Sequence, residues 1–109
     1  MKQKINNKKT AVVIGATGNL GSAICDTLTN DGYYIDPTWL SSDHPDASES
    51  SAYNNLPPKI DLAIYVAGIN IIKETESLSE KDWDSVMDVN LKGAFFLAKN
   101  AFKPMKAAG

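Results

Sequence analysis

Ala11-Val12-Val13-Ile14-Gly15-Ala16-Thr17-Gly18-Asn19-Leu20-Gly21 decides how this chain is read. Its first four residues are a short apolar run, rich in β-branched side chains, of the kind that forms a strand buried on both faces. Gly15, Gly18 and Gly21 then follow at three-residue intervals. Glycines in this place let the chain turn sharply, let backbone approach a pyrophosphate and bring the next helix close to the sheet. Leu20, Ala23, Ile24, Thr27 and Leu28 recur at helical spacing, and Asp31-Gly32 is a helix stop near Asn30. A strand, a glycine turn and a helix in that order aim the unsatisfied amides of the helix N-terminus at a phosphate. The spacing is G-x-x-G-x-x-G rather than the usual G-x-G-x-x-G, and a structural turn is the competing account because turns are commonly glycine-rich.

Outward from that stretch, Tyr33-Tyr34-Ile35 has strand character, and Pro37 forbids a regular central ladder just beyond it. Residues 41–58 are dominated by serine, proline, aspartate and asparagine, with Tyr53 and Leu56 as the main apolar side chains. That composition predicts a loop with one short helix over 46–55. Ile60 to Val66 is a second buried strand, ending in Ala67-Gly68. Ser79-Glu80-Lys81-Asp82 has the pattern of a capping box. Trp83, Val86, Met87, Leu91, Ala94, Phe95, Ala98 and Phe102 follow at three- and four-residue spacing, which predicts one long amphipathic helix reaching about Pro104. The order implies an α/β fold on a parallel sheet, with the Ala11 strand between the Tyr33 and Ile60 strands. A ligand is expected beyond the carboxyl ends of the strands.

The bulk composition excludes several classes. Hydrophobic residues at 43% and charged residues at 22% describe an ordinary globular chain, and 109 residues suffice for one domain. We read residues 1–9 as a polar tail and 10–109 as the domain. A net charge of −2 argues against nucleic acid or an anionic membrane as partner. No apolar run approaches the roughly 20 residues needed to span a bilayer, and no signal peptide is evident, so the cytoplasm is the expected compartment. One cysteine, Cys25, provides neither a disulfide framework nor metal-ligand spacing, and it reads as a small buried hydrophobe.

These segments resemble the short-chain dehydrogenases/reductases. Ala11 to Gly21 is similar to their nucleotide-binding turn, in a spacing more often met in the extended and atypical branches. Ile60-Asp61-Leu62-Ala63-Ile64-Tyr65-Val66-Ala67-Gly68-Ile69 resembles their fourth strand and its N-N-A-G motif. Leu78 to Trp83 and Val89-Asn90-Leu91-Lys92-Gly93-Ala94-Phe95 resemble the helix that follows. The resemblance implies a Rossmann-like doubly wound parallel sheet, here incomplete: first strands and helices only, with a shortened third crossover. It implies NAD or NADP as cofactor, held by Gly15, Thr17, Gly18, Asn19, Leu20, Gly21, Asp36, Ala67 and Gly68. It also implies a small alcohol or carbonyl substrate, and a homo-oligomer in which the long helix packs against its mate. Asn90 is implied as the catalytic residue of this segment, breaking the helix locally while its carbonyl holds a water of the proton relay. Asn competes with the helical backbone for hydrogen bonds, so an Asn amid strong helix formers is notable on physical grounds too; a solvent-facing residue is the alternative. Asp61 is expected to orient the strand end.

Three departures from the family pattern stand out. Tyr65 and Val66 occupy the places of the two asparagines, which puts the local hydrogen bonding in question. The stretch between the second and fourth strands is too short for a full helix and strand. That shortening also leaves the cofactor preference open: Asp36 suits the general acidic fingerprint, whereas the family's register points to Trp39, with Ser41, Ser42 and Asp43 nearby. The family's catalytic serine and Tyr-x-x-x-Lys are not found: four residues after Tyr33, Tyr34, Tyr53 and Tyr65 stand Pro37, Thr38, Pro57 and Ile69. His44 reads as solvated. The expectation is a fragment of an oxidoreductase, inactive alone and poorly soluble because the Ile60 strand is left as an uncovered edge. The alternative is a non-catalytic nucleotide-binding or oligomerisation module.

Overall fold

The computed structural model describes residues 8–109, in which Thr10–Ile14 forms the central strand β1. The expected tail therefore lies outside the described residues, apart from Lys8 and Lys9. Ala11, Val12, Val13 and Ile14 have no solvent exposure at all, as a strand covered on both faces requires. β2 (Tyr34–Ile35) and β3 (Leu62–Tyr65) flank it, both parallel, in the order β2-β1-β3. Ala11 is level with Leu62 and Ile14 with Tyr65 on one side; on the other, Ala11 is level with Ile35. Asp61 ties the strand starts together, its carboxylate accepting the Thr10 amide at 2.7 Å. β3 is the sheet edge among the described residues, and all four of its residues are half-buried.

Helix α1 (Asn19–Asn30) ends as the sequence predicts. Gly32 takes φ +92°, the Tyr33 amide donates to the Leu28 carbonyl and the Gly32 amide to Thr29, which is a Schellman closure. The face it buries differs from expectation. Gly21 and Cys25 are buried and Ile24 and Leu28 half-buried, whereas Ala23 and Thr27 are exposed and Leu20 is 64% exposed. The cause is the contact at Gly21, where a Cβ would run into the Gly15 carbonyl. The helix meets the sheet at that point, and the stripe follows from it at positions 24, 25 and 28. Burial pushes the Cys25 thiol up from its ordinary value, with Asp26 adding to the effect.

β2 stops after two residues because Pro37 cannot donate to a ladder. The Asp36 amide makes the last bond, to Ala11. Pro37–Trp39 is then a 3-10 turn capped by Asp36, which accepts from the Thr38 amide and hydroxyl. The predicted helix over 46–55 shrinks to a 3-10 turn at Ser50–Tyr53, since Asp46 turns the chain by accepting from Ser48. This connection is nonetheless a substantial part of the core. Trp39 and Tyr53 are buried and stack at 5.7 Å, and His44, expected in solvent, lies half-buried against Trp39 at 5.8 Å.

The expected single long helix is two helices joined by a wider turn. The capping box forms as read: Ser79 Oγ accepts the Asp82 amide and Asp82 accepts the Ser79 amide, starting α2 (Glu80–Met87). A π turn spans Asp88–Lys92, and α3 (Gly93–Ala108) follows. α3 passes through Pro104 rather than stopping there, and the Pro104 carbonyl accepts the Ile60 amide at 3.2 Å. That tertiary bond, and Ala101 buried one turn earlier, hold a helix that local propensity would end. Its buried line is Gly93, Leu97 and Ala101, so Phe95 and Phe102, which the spacing placed on the apolar stripe, are exposed by 59% and 67%, as is Leu91 of the π turn by 59%. Trp83 of α2 is exposed as well.

Candidate functional site

β1 delivers the chain to Gly15, which adopts φ +94°, a conformation L side chains rarely adopt. A Cβ on Gly15 would also lie 2.6 Å from the Ala67 amide nitrogen, so the turn touches the exit of β3. The Gly18 amide donates to the Gly15 carbonyl at 3.1 Å, which closes the turn, and Gly18 becomes the N-cap of α1 with φ −79° and ψ 173°. Among the described residues no side chain caps this helix, and no acidic residue stands in its first turn. Its N-terminal amides and partial positive charge thus face outward among Thr17, Gly18, Asn19 and Leu20, all exposed.

The three glycines are not equivalent. Gly15 is required by its backbone angle and Gly21 by contact with the Gly15 carbonyl. A Cβ on Gly18 would meet only that same carbonyl, at 3.5 Å, an ordinary contact. Nothing in the packing of the chain asks for glycine there. An uncapped helix end beside an unneeded glycine suits a diphosphate: it needs close backbone approach and donors, and it brings its own negative charge.

The exit of β3 lies alongside. Ala67 adjoins Gly15, and a Cβ on Gly68 would stand 3.4 Å from Asn90 Oδ1. Asn90 sits in the π turn, the place where the family resemblance implied a local helix break. Its carboxamide grips the strand extension twice: Oδ1 accepts the Ile69 amide at 2.9 Å and Nδ2 donates to the Ile69 carbonyl at 3.0 Å. Gly15, Ala67, Gly68 and Asn90 therefore form one row across the carboxyl ends of β1 and β3. That is where a parallel α/β sheet binds ligands.

Asp36 stands apart from this row. The register of β1 with β2 puts it level with Val12, three residues short of Gly15, or about 10 Å along the strand. It is 7% exposed; one oxygen serves Thr38, and Oδ2 has no partner among the described residues. Trp39, at the family's selecting register, is 1% exposed inside the aromatic stack.

Two features of the site were not foreseen. Lys73 pairs with Asp82 at 2.8 Å, and together with the Ser79 amide it holds the Asp82 carboxyl below its usual range. Tyr65, standing where the family has asparagine, donates its hydroxyl to the Val89 carbonyl in the π turn. Burial raises the Tyr65 phenol above its ordinary value. The sequence signal near this contact was the unexpected Tyr65 itself, and nothing local connects it with Val89.

Comparison with known proteins bears on the family and the fold. The family described as short chain dehydrogenase matches residues 41–109. The NAD-dependent glycerol dehydrogenase of Listeria innocua is 27% identical, over 93% of this chain and 49% of its own. The D-beta-hydroxybutyrate dehydrogenase of Rhizobium meliloti is 27% identical, over 93% of this chain and 50% of its own. In structure, a short-chain dehydrogenase/reductase from Brucella melitensis superposes with a TM-score of 0.76 at 23% identity, covering 89% of this chain and 50% of that one, which supports the Rossmann-like fold. The glycine turn lies outside residues 41–109 but within the reach of relatives that cover 93% of the chain. The chain spans about half the length of these curated relatives, and it belongs to the short-chain dehydrogenase family.

Proposed function

We propose that the chain is the nucleotide-binding part of an NAD(P)-dependent oxidoreductase that moves hydride between a nicotinamide and an alcohol or carbonyl carbon. Gly18 carries this reading, because a residue there needs no missing Cβ for packing and borders an uncapped helix end. The amides of Asn19, Leu20 and Gly21 and the Thr17 hydroxyl would hold the pyrophosphate, with Gly18 allowing its close approach and Gly15 shaping the turn. Ala67 and Gly68, small and beside Gly15, leave room for the nicotinamide ribose. The bound cofactor supplies the carbon that accepts or gives the hydride. Asn90 spends its carboxamide on Ile69, so its main-chain carbonyl is the group assigned to hold a relay water. Asp36 is the acidic candidate for the adenosine ribose at the end of β2, and the cofactor assigned is NAD or NADP.

None of the four tyrosines in these 109 residues is followed at four positions by lysine. The chain by itself is therefore assigned binding without turnover. The exposed Phe95 and Phe102 of α3, with Leu91 of the π turn before it, support a homo-oligomer built on this face, and they equally support the second reading, a non-catalytic nucleotide-binding or oligomerisation module. No described helix is long and apolar enough to cross a membrane, and the cytoplasm is the proposed compartment.

The test is titration of the purified chain with NADH and NADPH, followed by nicotinamide fluorescence and thermal shift. Saturable binding is expected, with no alcohol or carbonyl turnover. A folded chain that binds neither nucleotide removes the cofactor role and leaves the fold standing.

A further inference from the structure

The π turn is held from below as well as from the side. The Tyr65 ring rises from the last residue of β3, and its hydroxyl donates to the Val89 carbonyl, one residue before Asn90. Gly93, the first residue of α3, is buried directly over it. A Cβ on Gly93 would overlap both the Tyr65 hydroxyl and the Ala47 carbonyl. Ala47 in turn accepts the Tyr53 hydroxyl at 2.7 Å, so the connection between β2 and β3 closes the nest around the phenol. The turn is thus fixed at two adjacent residues, Val89 to Tyr65 and the Asn90 carboxamide to Ile69, whose anchors lie four residues apart on β3 and its extension.

We propose that Tyr65 is a positioning residue for Asn90, with Gly93 as the opening its phenol requires. A wide helical turn is rare and gives way easily to the α geometry. The carbonyl bond from Tyr65 ties Val89 to the sheet, and the neighbouring residue is thereby presented to Ile69 and to the row of Gly15, Ala67 and Gly68. An asparagine at position 65 is too short to span the same gap, so the bulk of tyrosine and the absence of a side chain at Gly93 belong together. The inference rests on the relay role proposed for Asn90.

The experiment uses the uniformly 15N-labelled 109-residue chain, comparing wild type with Tyr65→Phe and Gly93→Ala. Tyr65→Phe keeps the ring and removes only the hydroxyl. Hydrogen exchange at the Ile69 amide should accelerate about five- to tenfold, as expected for loss of one hydrogen bond's worth of local stability, while Val12 and Val13 stay unchanged. The Asn90 side-chain amide signals should move toward unbonded positions. Gly93→Ala should do the same with the phenol intact. If Ile69 changes only in proportion to Val12 and Val13, Tyr65 is merely a core side chain and the proposal is overturned. Failure of the underlying reading shows separately: NADH that shifts Gly18 but neither Asn90 nor Ile69 overturns the relay role, and with it the purpose assigned to Tyr65.

Discussion

Gly18→Asp should move stability and cofactor binding in opposite directions. Gly18 is the N-cap of α1, its φ and ψ of −79° and 173° suit any residue, and a Cβ there finds only an ordinary 3.5 Å contact. The helix lacks a side-chain cap. Aspartate is among the preferred caps, and its charge complements the helix N-terminus; a gain of a few tenths to about 1 kcal/mol follows. For a domain of this size that is a rise of roughly 2–8 °C in Tm. The same carboxylate would face a pyrophosphate on the α1 amides. Two like charges about 5 Å apart at an effective dielectric near 20 repel by about 3 kcal/mol, a loss of affinity on the order of 100-fold. Thermal denaturation followed by circular dichroism reads the first quantity, and NADH fluorescence titration reads the second. Affinity retained within threefold would show that phosphate does not lie at α1. A fall in Tm of more than a few degrees would show that Gly18 is required by packing, and the argument from its unneeded glycine would fail.

Gly21→Ala is the contrasting case: its Cβ overlaps the Gly15 carbonyl, so α1 must lift off the sheet. A loss of about 3 kcal/mol or more is expected in urea denaturation, and a change under 1 kcal/mol would refute the close contact. Pro104→Ala restores a backbone donor within α3, so stability should rise by about 1–3 kcal/mol in the same assay, and no rise would refute a cost of Pro104 to the helix. Burial raises the Tyr53 phenol well above its ordinary value, with Tyr65 adding to the shift. A raised value means the unfolded chain ionises first, so this stability is complete below about pH 10 and is lost as pH climbs beyond it. Tyr53→Phe should flatten that alkaline loss in denaturation curves recorded between pH 8 and 12, and an unchanged slope would assign it to other groups.

Much of the fold was legible because short-range physics determined it. The run Ala11 to Ile14 could only be a strand covered on both faces, Asp31-Gly32 stopped α1, and Ser79 with Asp82 started α2, each through contacts within a few residues. The strand order followed from parallel connections and their handedness. The glycine turn was likewise visible, whereas the break at Asn90 was implied by the family resemblance and the apolar spacing alone predicted one continuous helix. Tertiary contact decided the rest. Helical spacing named apolar positions on α1 and α3, but Gly21 and Gly93 chose which line faces the sheet, leaving Leu20, Phe95 and Phe102 outside. Trp39, Tyr53 and His44 stack across a segment whose composition reads as loop, because ring burial repays contacts between residues that no local pattern links. Pro104 stays helical for the sake of a bond to Ile60. The position of Asn90 depends on Ile69 and Tyr65, more than 20 residues away in the chain. Backbone preferences act over one or two turns and are written in the sequence; the phase of a helix and the partners of a buried hydroxyl exist only once distant segments have packed.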